Sequence, residues 1–301
     1  MNPAKAPGER ALQDPVDLVI QGAALSAQAI EAFVCEFPAA PVQRRPASIR
    51  LSGIGPAAAV SERVADLAAR WSCDATLLAR PLVLSQFRVL ALDMDSTLIR
   101  NECIDELAQL AGVGPQVAAI TEAAMRGQIA DYAQSLRQRV ALLAGVDASL
   151  LQIVAEQRLR ITPGAERLLK AAREAGLGTL LVTGGFGYFA DILQRQLGID
   201  AVRANELQVA DGRVTGVVLG PAAQPETLVD AQGKASALRE MCAALHCSTA
   251  EAIAIGDGAN DLPMLDLAGV SVAYRAKPLV QQRAAYALNH SGLDGVLELF
   301  S

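Results

Sequence analysis

Three stretches of the chain run almost wholly apolar and then end in small or acidic residues. They are RVLALDM from Arg88, LGTLLVTGG over 177–185 and EAIAIGDG over 251–258. Continuous apolar runs of this length predict strands buried on both faces of a parallel sheet. Before the second run the period turns helical. Leu168, Leu169, Ala172 and Ala175 share one helix face, with Thr162 as the expected N-cap, Pro163 at the first helical position and Gly176 ending the helix. Strand, helix and strand in this order predict right-handed crossovers and an α/β fold with a doubly wound, mostly parallel sheet. Ligands bind such sheets outside the carboxyl ends of the strands, where all three runs finish in Asp or Gly.

Residues 101 to about 160 carry helical periodicity alone, which predicts a helical cap inserted over that edge. ELQVADGRVTGVVL alternates about Asp211-Gly212 and predicts a β-hairpin. The first eighty residues read differently. Val16–Ile20 and Ala47–Leu51 predict strands, and Ala27–Val34 and Pro56–Trp71 predict helices. PAAPVQRRP between them reads as an exposed connection, and residues 1 to about 14 as a loose arm. The expected division is an N-terminal α+β domain over 1–82 and a sheet domain over 83–301 that carries the cap. No chemical motif falls in the first unit. It is open to three readings: a regulatory module of the kind that binds amino acids in biosynthetic enzymes, structural padding, or a surface for forming a homodimer. Every motif lies beyond Arg88, so the sheet domain is expected to be active by itself.

Charge narrows the partners. With a net charge of −6, there is no electrostatic reason to expect nucleic acid or an anionic membrane surface. A small anionic substrate needs only a local positive site. Cys35, Cys73, Cys103, Cys242 and Cys247 form no Cys-x-x-Cys pair, so neither a disulfide framework nor a zinc site is expected. Cys242, His246 and Cys247 read as a helix end, with Cys242 half-buried. MNPAKAPGER lacks the apolar stretch of a signal peptide, and no apolar run would span a bilayer, so the cytoplasm is the expected compartment.

Four places carry candidate chemistry. Asp93 and Asp95 end a buried strand and on regular strand geometry would point the same way, a costly arrangement unless a cation compensates them. Gly256-Asp257-Gly258-Ala259-Asn260-Asp261 follows another buried strand and lacks the acid spacing of a calcium loop. Thr183-Gly184-Gly185 offers a hydroxyl and backbone amides to an anion at the expected start of a helix. Lys234 stands where a helix begins, at the wrong end of its dipole unless an anion is near. In the cap, Leu136, Val140 and Leu143 form an apolar stripe beside Arg139, whereas Arg137 lies round the helix. Arg139 is therefore a candidate anion site. Glu102 reads as a first-turn acid after an Asn101 cap.

Asp-x-Asp, Thr-Gly-Gly, Lys and Gly-Asp-Gly-x-Asn-Asp, in this order, resemble the four motifs of the haloacid dehalogenase-like hydrolase superfamily. DMDSTLIRNECIDELA, MRGQIADYAQSLRQRVALLAG, TGGF and AIGDGANDLPM narrow the resemblance to the phosphoserine phosphatase family, from Val89 to about Glu298. The first eighty residues lie outside it. The resemblance implies a magnesium-dependent enzyme that hydrolyses O-phospho-L-serine, the last step of serine biosynthesis, through an aspartyl phosphate. Asp93 would be the nucleophile, and Asp95 the acid and then the base. Mg2+ would be held by the Asp93 and Asp257 side chains and the Asp95 carbonyl, with Asp261 behind them. Thr183, the Gly184 amide, Lys234 and Asn260 would surround the phosphoryl oxygens, Glu102 the substrate ammonium and Arg139 its carboxylate. The family usually has serine at the position of Thr183, and a hydroxyl is kept. The alternative is a related phosphatase or phosphotransferase that acts on another small phosphomonoester or uses homoserine as acceptor. A non-catalytic binding protein on this scaffold would be expected to lose the nucleophile or the metal-binding acid, and both are present.

Overall fold

The computed structural model describes residues 14–126, 128, 129 and 131–301, so most of the expected N-terminal arm lies outside the described residues. The chain first forms β1 (Asp17–Gln21), α1 (Ala27–Glu36), β2 (Val42–Arg44), β3 (Ser48–Leu51), α2 (Ala57–Trp71) and β4 (Asp74–Leu78). Their antiparallel sheet runs β2-β3-β1-β4, a split βαβ arrangement. Leu18, Ile20, Ile49 and Leu51 pack with Phe33, Val60 and Val64 of the two helices. The alternate residues Val19 and Leu78 pack instead into the main core of the molecule. This sheet is thus covered on both faces. PAAPVQRRP, read as a connection, contains the edge strand β2, whose three residues are all exposed. With no buried position, it has no periodicity to betray it.

The second sheet runs β11-β10-β9-β5-β6-β7-β8. Its strands are β5 (Val89–Leu92), β6 (Gly178–Phe186), β7 (Ala201–Ala210), β8 (Arg213–Leu219), β9 (Ala252–Gly256), β10 (Val270–Tyr274) and β11 (Tyr286–Leu288). All neighbours are parallel except the β7–β8 hairpin. The continuous apolar strands have a direct cause. Leu90 and Leu92 of β5 pack with Leu168 and Leu169, while Val89 and Ala91 pack with Leu238 and Met264 on the opposite face. Each residue of the strand meets a helix layer, so there is no solvent face on which to alternate.

Four helices, α3 (Cys103–Leu110), α4 (Gly114–Met125), α5 (Tyr132–Ala141) and α6 (Ser149–Ile153), make the insertion between β5 and β6. The hairpin braces it. Arg213 Nη1 donates to the Gly145 carbonyl at 2.7 Å, and Val214 exchanges 2.8 Å backbone bonds with Gly145 and Val146. The remaining helices are α7 (Ala165–Glu174), α8 (Gly187–Leu197), α9 (Ala231–Ala244), α10 (Leu262–Leu265) and α11 (Pro278–Arg283). The N-cap of α7 is Gly164, not Thr162, whose hydroxyl donates instead to the Thr97 carbonyl at 2.7 Å. Cys242 is fully buried in α9 rather than half-buried. Among the described residues no helix is long and apolar enough to cross a membrane.

Candidate active site

The carboxyl ends of β5, β6 and β9 open into a cavity of about 710 Å³ roofed by the cap helices. Asp93, Asp95, Glu102, Arg139, Thr183, Gly184, Lys234, Asp257 and Asn260 all line it, although they come from positions up to 167 residues apart. Asp261 lies beneath the floor, fully buried.

Asp93 follows the last residue of β5 and then the chain turns. Met94–Leu98 forms a π-type turn in which Asp95 is extended and Ser96 takes φ +58°. The two acids are therefore not successive residues of a regular strand. A left-handed serine is strained, and such strain gathers at functional sites. Here it places the Ser96 hydroxyl on Glu102 Oε1 at 2.8 Å and brings Asp95 Oδ1 to the Cys103 amide at 2.9 Å. Asp95 thus satisfies an open N–H at the start of α3. Glu102 occupies the N-cap position of that helix, and Asn101 donates to Glu106 instead of capping.

Thr183 and its glycines end β6, two residues before α8 begins, so they are the tip of a strand and not the first turn of a helix. The Gly185 amide donates to Thr183 Oγ1 at 2.8 Å. Both glycines are required by close approach. A methyl group on Gly184 would lie 2.1 Å from the Tyr132 hydroxyl, and one on Gly185 would lie 2.6 Å from Asp95 Oδ2.

Charge is concentrated on the floor. Lys234, in the first turn of α9 and 1% exposed, donates to Asp93 Oδ1 at 2.6 Å and to Asp261 Oδ1 at 2.7 Å. Burial alone would lower its pKa, but Asp261 and Asp93 outweigh that and hold it cationic, above its ordinary range. One lysine does not balance the acids. Burial and then the Asp261 charge drive the Asp93 carboxyl well up, against the pull of Lys234. Burial, Asp261 and Glu102 raise Asp257 to about 7. Asp95 also rises to about 7, through burial and Glu102, against the Cys103 hydrogen bond.

Oxygens of Asp93, Asp257 and Asp261 lie within 4.8 Å of one another. An all-oxygen site with surplus negative charge suits a hard divalent cation. Asp261 is already engaged, since Oδ2 accepts from the Asp257 and Gly258 amides at 3.1 and 2.9 Å and Oδ1 accepts from Lys234. That leaves Asp93 and Asp257 as the side chains of the cluster that could hold a metal, while Asp261 holds the loop that carries Asp257.

On α5 of the cap, Arg139 is 9% exposed and Arg137 is exposed. Among the described residues, Arg139 forms no salt bridge, and its one hydrogen bond is from Nε to the Ser135 carbonyl at 3.4 Å. Tyr132, Asp105 and Lys277 also line the cavity and were not singled out by the sequence. Tyr132 left a usable signal, because it precedes Arg139 by seven residues and so shares its helix face.

Comparison with known proteins identifies the family. The profile of haloacid dehalogenase-like hydrolases matches residues 90–266. A phosphoserine phosphatase from Polaromonas sp. is 53% identical over 219 residues, 72% of this chain and 92% of that protein. The crystal structure of a probable phosphoserine phosphatase from Vibrio cholerae superposes with a TM-score of 0.79 at 34% identity, covering 95% of this chain and 86% of the other. A phospho-aspartyl intermediate analogue of a phosphoserine phosphatase superposes with a TM-score of 0.65 at 33% identity, covering 71% and 99%. Phosphatases of this kind generally need a divalent metal, and the aspartate cluster is in place for one. The chain belongs to the haloacid dehalogenase-like hydrolases and, among them, to the phosphoserine phosphatase family.

Proposed function

We propose that the protein hydrolyses O-phospho-L-serine to L-serine and phosphate, with Mg2+ as its metal. The observation that carries this reading is a single cavity lined by two unlike groups of residues. One group is Asp93, Asp95, Thr183, Gly184, Asn260 and Lys234, and the other is Glu102 with a buried arginine that forms no salt bridge among the described residues. A phosphomonoester alone needs only the first group. Glu102 and Arg139 together match an ammonium and a carboxylate.

The chemistry follows from the residues. An Asp93 oxygen attacks phosphorus, and the bond from phosphorus to the serine oxygen breaks. Asp95, with its carboxyl near neutrality, gives its proton to the departing oxygen. Its carboxylate then takes a proton from the water that attacks the aspartyl phosphate, which frees Asp93 and releases phosphate. Lys234, the Gly184 amide, the Thr183 hydroxyl and Asn260 surround the phosphoryl oxygens as charge shifts between them. Mg2+ held by Asp93, Asp257 and the Asp95 carbonyl would offset the carboxylate surplus and stabilise the phosphoryl charge. We also assign residues 1–82 as a unit apart from 83–301, because a separate apolar cluster lies between its sheet and its helices. The cysteines are unpaired, which suits the reducing cytoplasm.

The test is phosphate release from phosphoserine, phosphoethanolamine and other small phosphomonoesters, with Mg2+ and with a chelator. Metal-dependent turnover that prefers phosphoserine is expected. Equal rates on all substrates, or phosphohomoserine formed when homoserine is added, would move the assignment to a broader phosphatase or a phosphotransferase.

A further inference from the structure

We propose that Tyr132 is a substrate-contacting residue whose hydroxyl donates a hydrogen bond from the cap to the phosphoryl group lying over Gly184. The inference rests on the phosphatase reading and adds a residue to it.

Tyr132 is the first residue of α5, fixed there by the Asp131 cap on the Gln134 amide at 2.6 Å. Its ring packs against the main core, which settles where the hydroxyl can reach. That hydroxyl stands directly above the strand tip, since a methyl on Gly184 would lie 2.1 Å from its oxygen and 2.7 Å from Cζ. Gly184 and Lys234 are among the residues assigned above to the phosphoryl oxygens, and Tyr132 lines the same cavity. Among the described residues the hydroxyl has no protein hydrogen-bond partner, yet it is not sealed off, because it faces the cavity. A phenol oriented by its ring, with its polar tip free in a charged cavity, is placed to meet an oxygen of the ligand.

The surroundings keep it a donor. Burial pushes its pKa up to about 12, and Lys234 and Arg139 pull the other way without offsetting the burial. It therefore stays protonated across the neutral range and contributes a hydrogen bond, not a proton. The geometric consequence concerns the cap. The floor can bind phosphate with the cap displaced, but this donor arrives only with α5, so the full set of contacts to the transferring group needs the roof in place.

Tyr132→Phe keeps the ring and removes only the oxygen, so the variant should melt with the wild type. It should lower kcat/KM for phosphoserine and phosphoethanolamine alike, by about tenfold. Inhibition by inorganic phosphate should weaken in parallel, a readout that mere packing would not move. Rates and phosphate inhibition within about twofold of wild type would overturn the inference and leave the phosphatase reading standing. A loss confined to phosphoserine would also overturn it, because the hydroxyl would then touch the amino-acid end. A wild-type protein inactive on both substrates would overturn the phosphatase reading and this inference with it.

Discussion

Two buried aspartates show opposite uses of a charge taken out of water. Asp74 begins β4 and lies in the seam between the N-terminal sheet and the C-terminal segment, 4% exposed. Four donors meet it: the amides of Asn289, His290 and Ser291 at 2.6, 3.1 and 2.8 Å, and the Ser291 hydroxyl at 2.6 Å. Among the described residues no cation takes part, and both oxygens are occupied. Asp93 directly follows β5 and is nearly as isolated from solvent, yet the two hydrogen bonds to its carboxylate, from Met94 N and Lys234 Nζ, both fall on Oδ1. It shares that lysine with Asp261. A carboxylate ringed by neutral donors is stable glue, whereas one crowded by other carboxylates stays reactive and calls for a metal. The difference lies in what surrounds the charge, not in how deeply it is buried.

The sharpest way to break this contrast is Asp93→Asn. The amide keeps the shape and removes the nucleophile, so turnover should fall on the order of 10⁴-fold or more. Because one of several mutually repelling carboxylates is gone, the melting temperature should hold or rise. Substantial phosphate release, once deamidation is excluded by mass spectrometry, would end the aspartyl-phosphate reading. Next in size is Arg139→Ala. It should slow phosphoserine hydrolysis on the order of a hundredfold, since the substrate carboxylate is left unpaired in a closed space. Phosphoethanolamine lacks that carboxylate and should change little, and Arg137→Ala serves as the control. Equal effects on the two substrates would remove Arg139 from the specificity site.

At the seam, Asp74→Ala should act on the other half of the comparison. Three backbone amides lose their acceptor, which costs about 2–3 kcal/mol in denaturant unfolding, while kcat of the folded enzyme stays as it was. A fall in kcat without a fall in stability would show that the seam reaches the chemistry.

The two regions also differed in how readable they were. The sheet was legible because β5, β6 and β9 are buried on both faces and end in acids and glycines, a local pattern. The cavity was legible as a set of motifs, and Arg139 as a charge beside an apolar stripe. The seam left no such mark. Ser48 donates to Glu298 across 250 positions, and Arg50 donates to the carbonyls of Glu298 and Leu299 at 3.3 Å, pairings that no local window contains. β2 is wholly exposed, so periodicity could not reveal it. The turn that carries Asp95 escaped for another reason, because a π-type turn and a left-handed serine look like a simple strand end on paper. The seam also qualifies the expectation that residues 83–301 suffice alone. Without the first sheet, the buried Glu298 side chain loses Ser48 and the Glu298 and Leu299 carbonyls lose Arg50, so a shortened chain is expected to keep its cavity but to be less stable.

The smallest expected effect links metal to pH. In the metal-free protein Asp95 and Asp257 titrate near 7, whereas in the unfolded chain an aspartate titrates at about 4. The folded protein then holds protons that the unfolded chain has released, so its stability falls as pH rises from about 4 to about 7. Mg2+ competes with the Asp257 proton for the same carboxylate and should bind more strongly as that proton leaves. At a concentration about ten times its Kd, Mg2+ adds about 1.4 kcal/mol, a melting shift of about 2 °C for a protein of this size. The shift should be clear at pH 8 and much smaller at pH 5.5, and Asp257→Asn should abolish it at both. Asp74 does not line the cavity, so Asp74→Ala should lower both melting curves and leave the Mg2+ increment at each pH unchanged. A Mg2+ increment equal at the two pH values would mean that the metal does not meet the raised carboxylates, and the contrast between the two aspartates would lose its chemical basis.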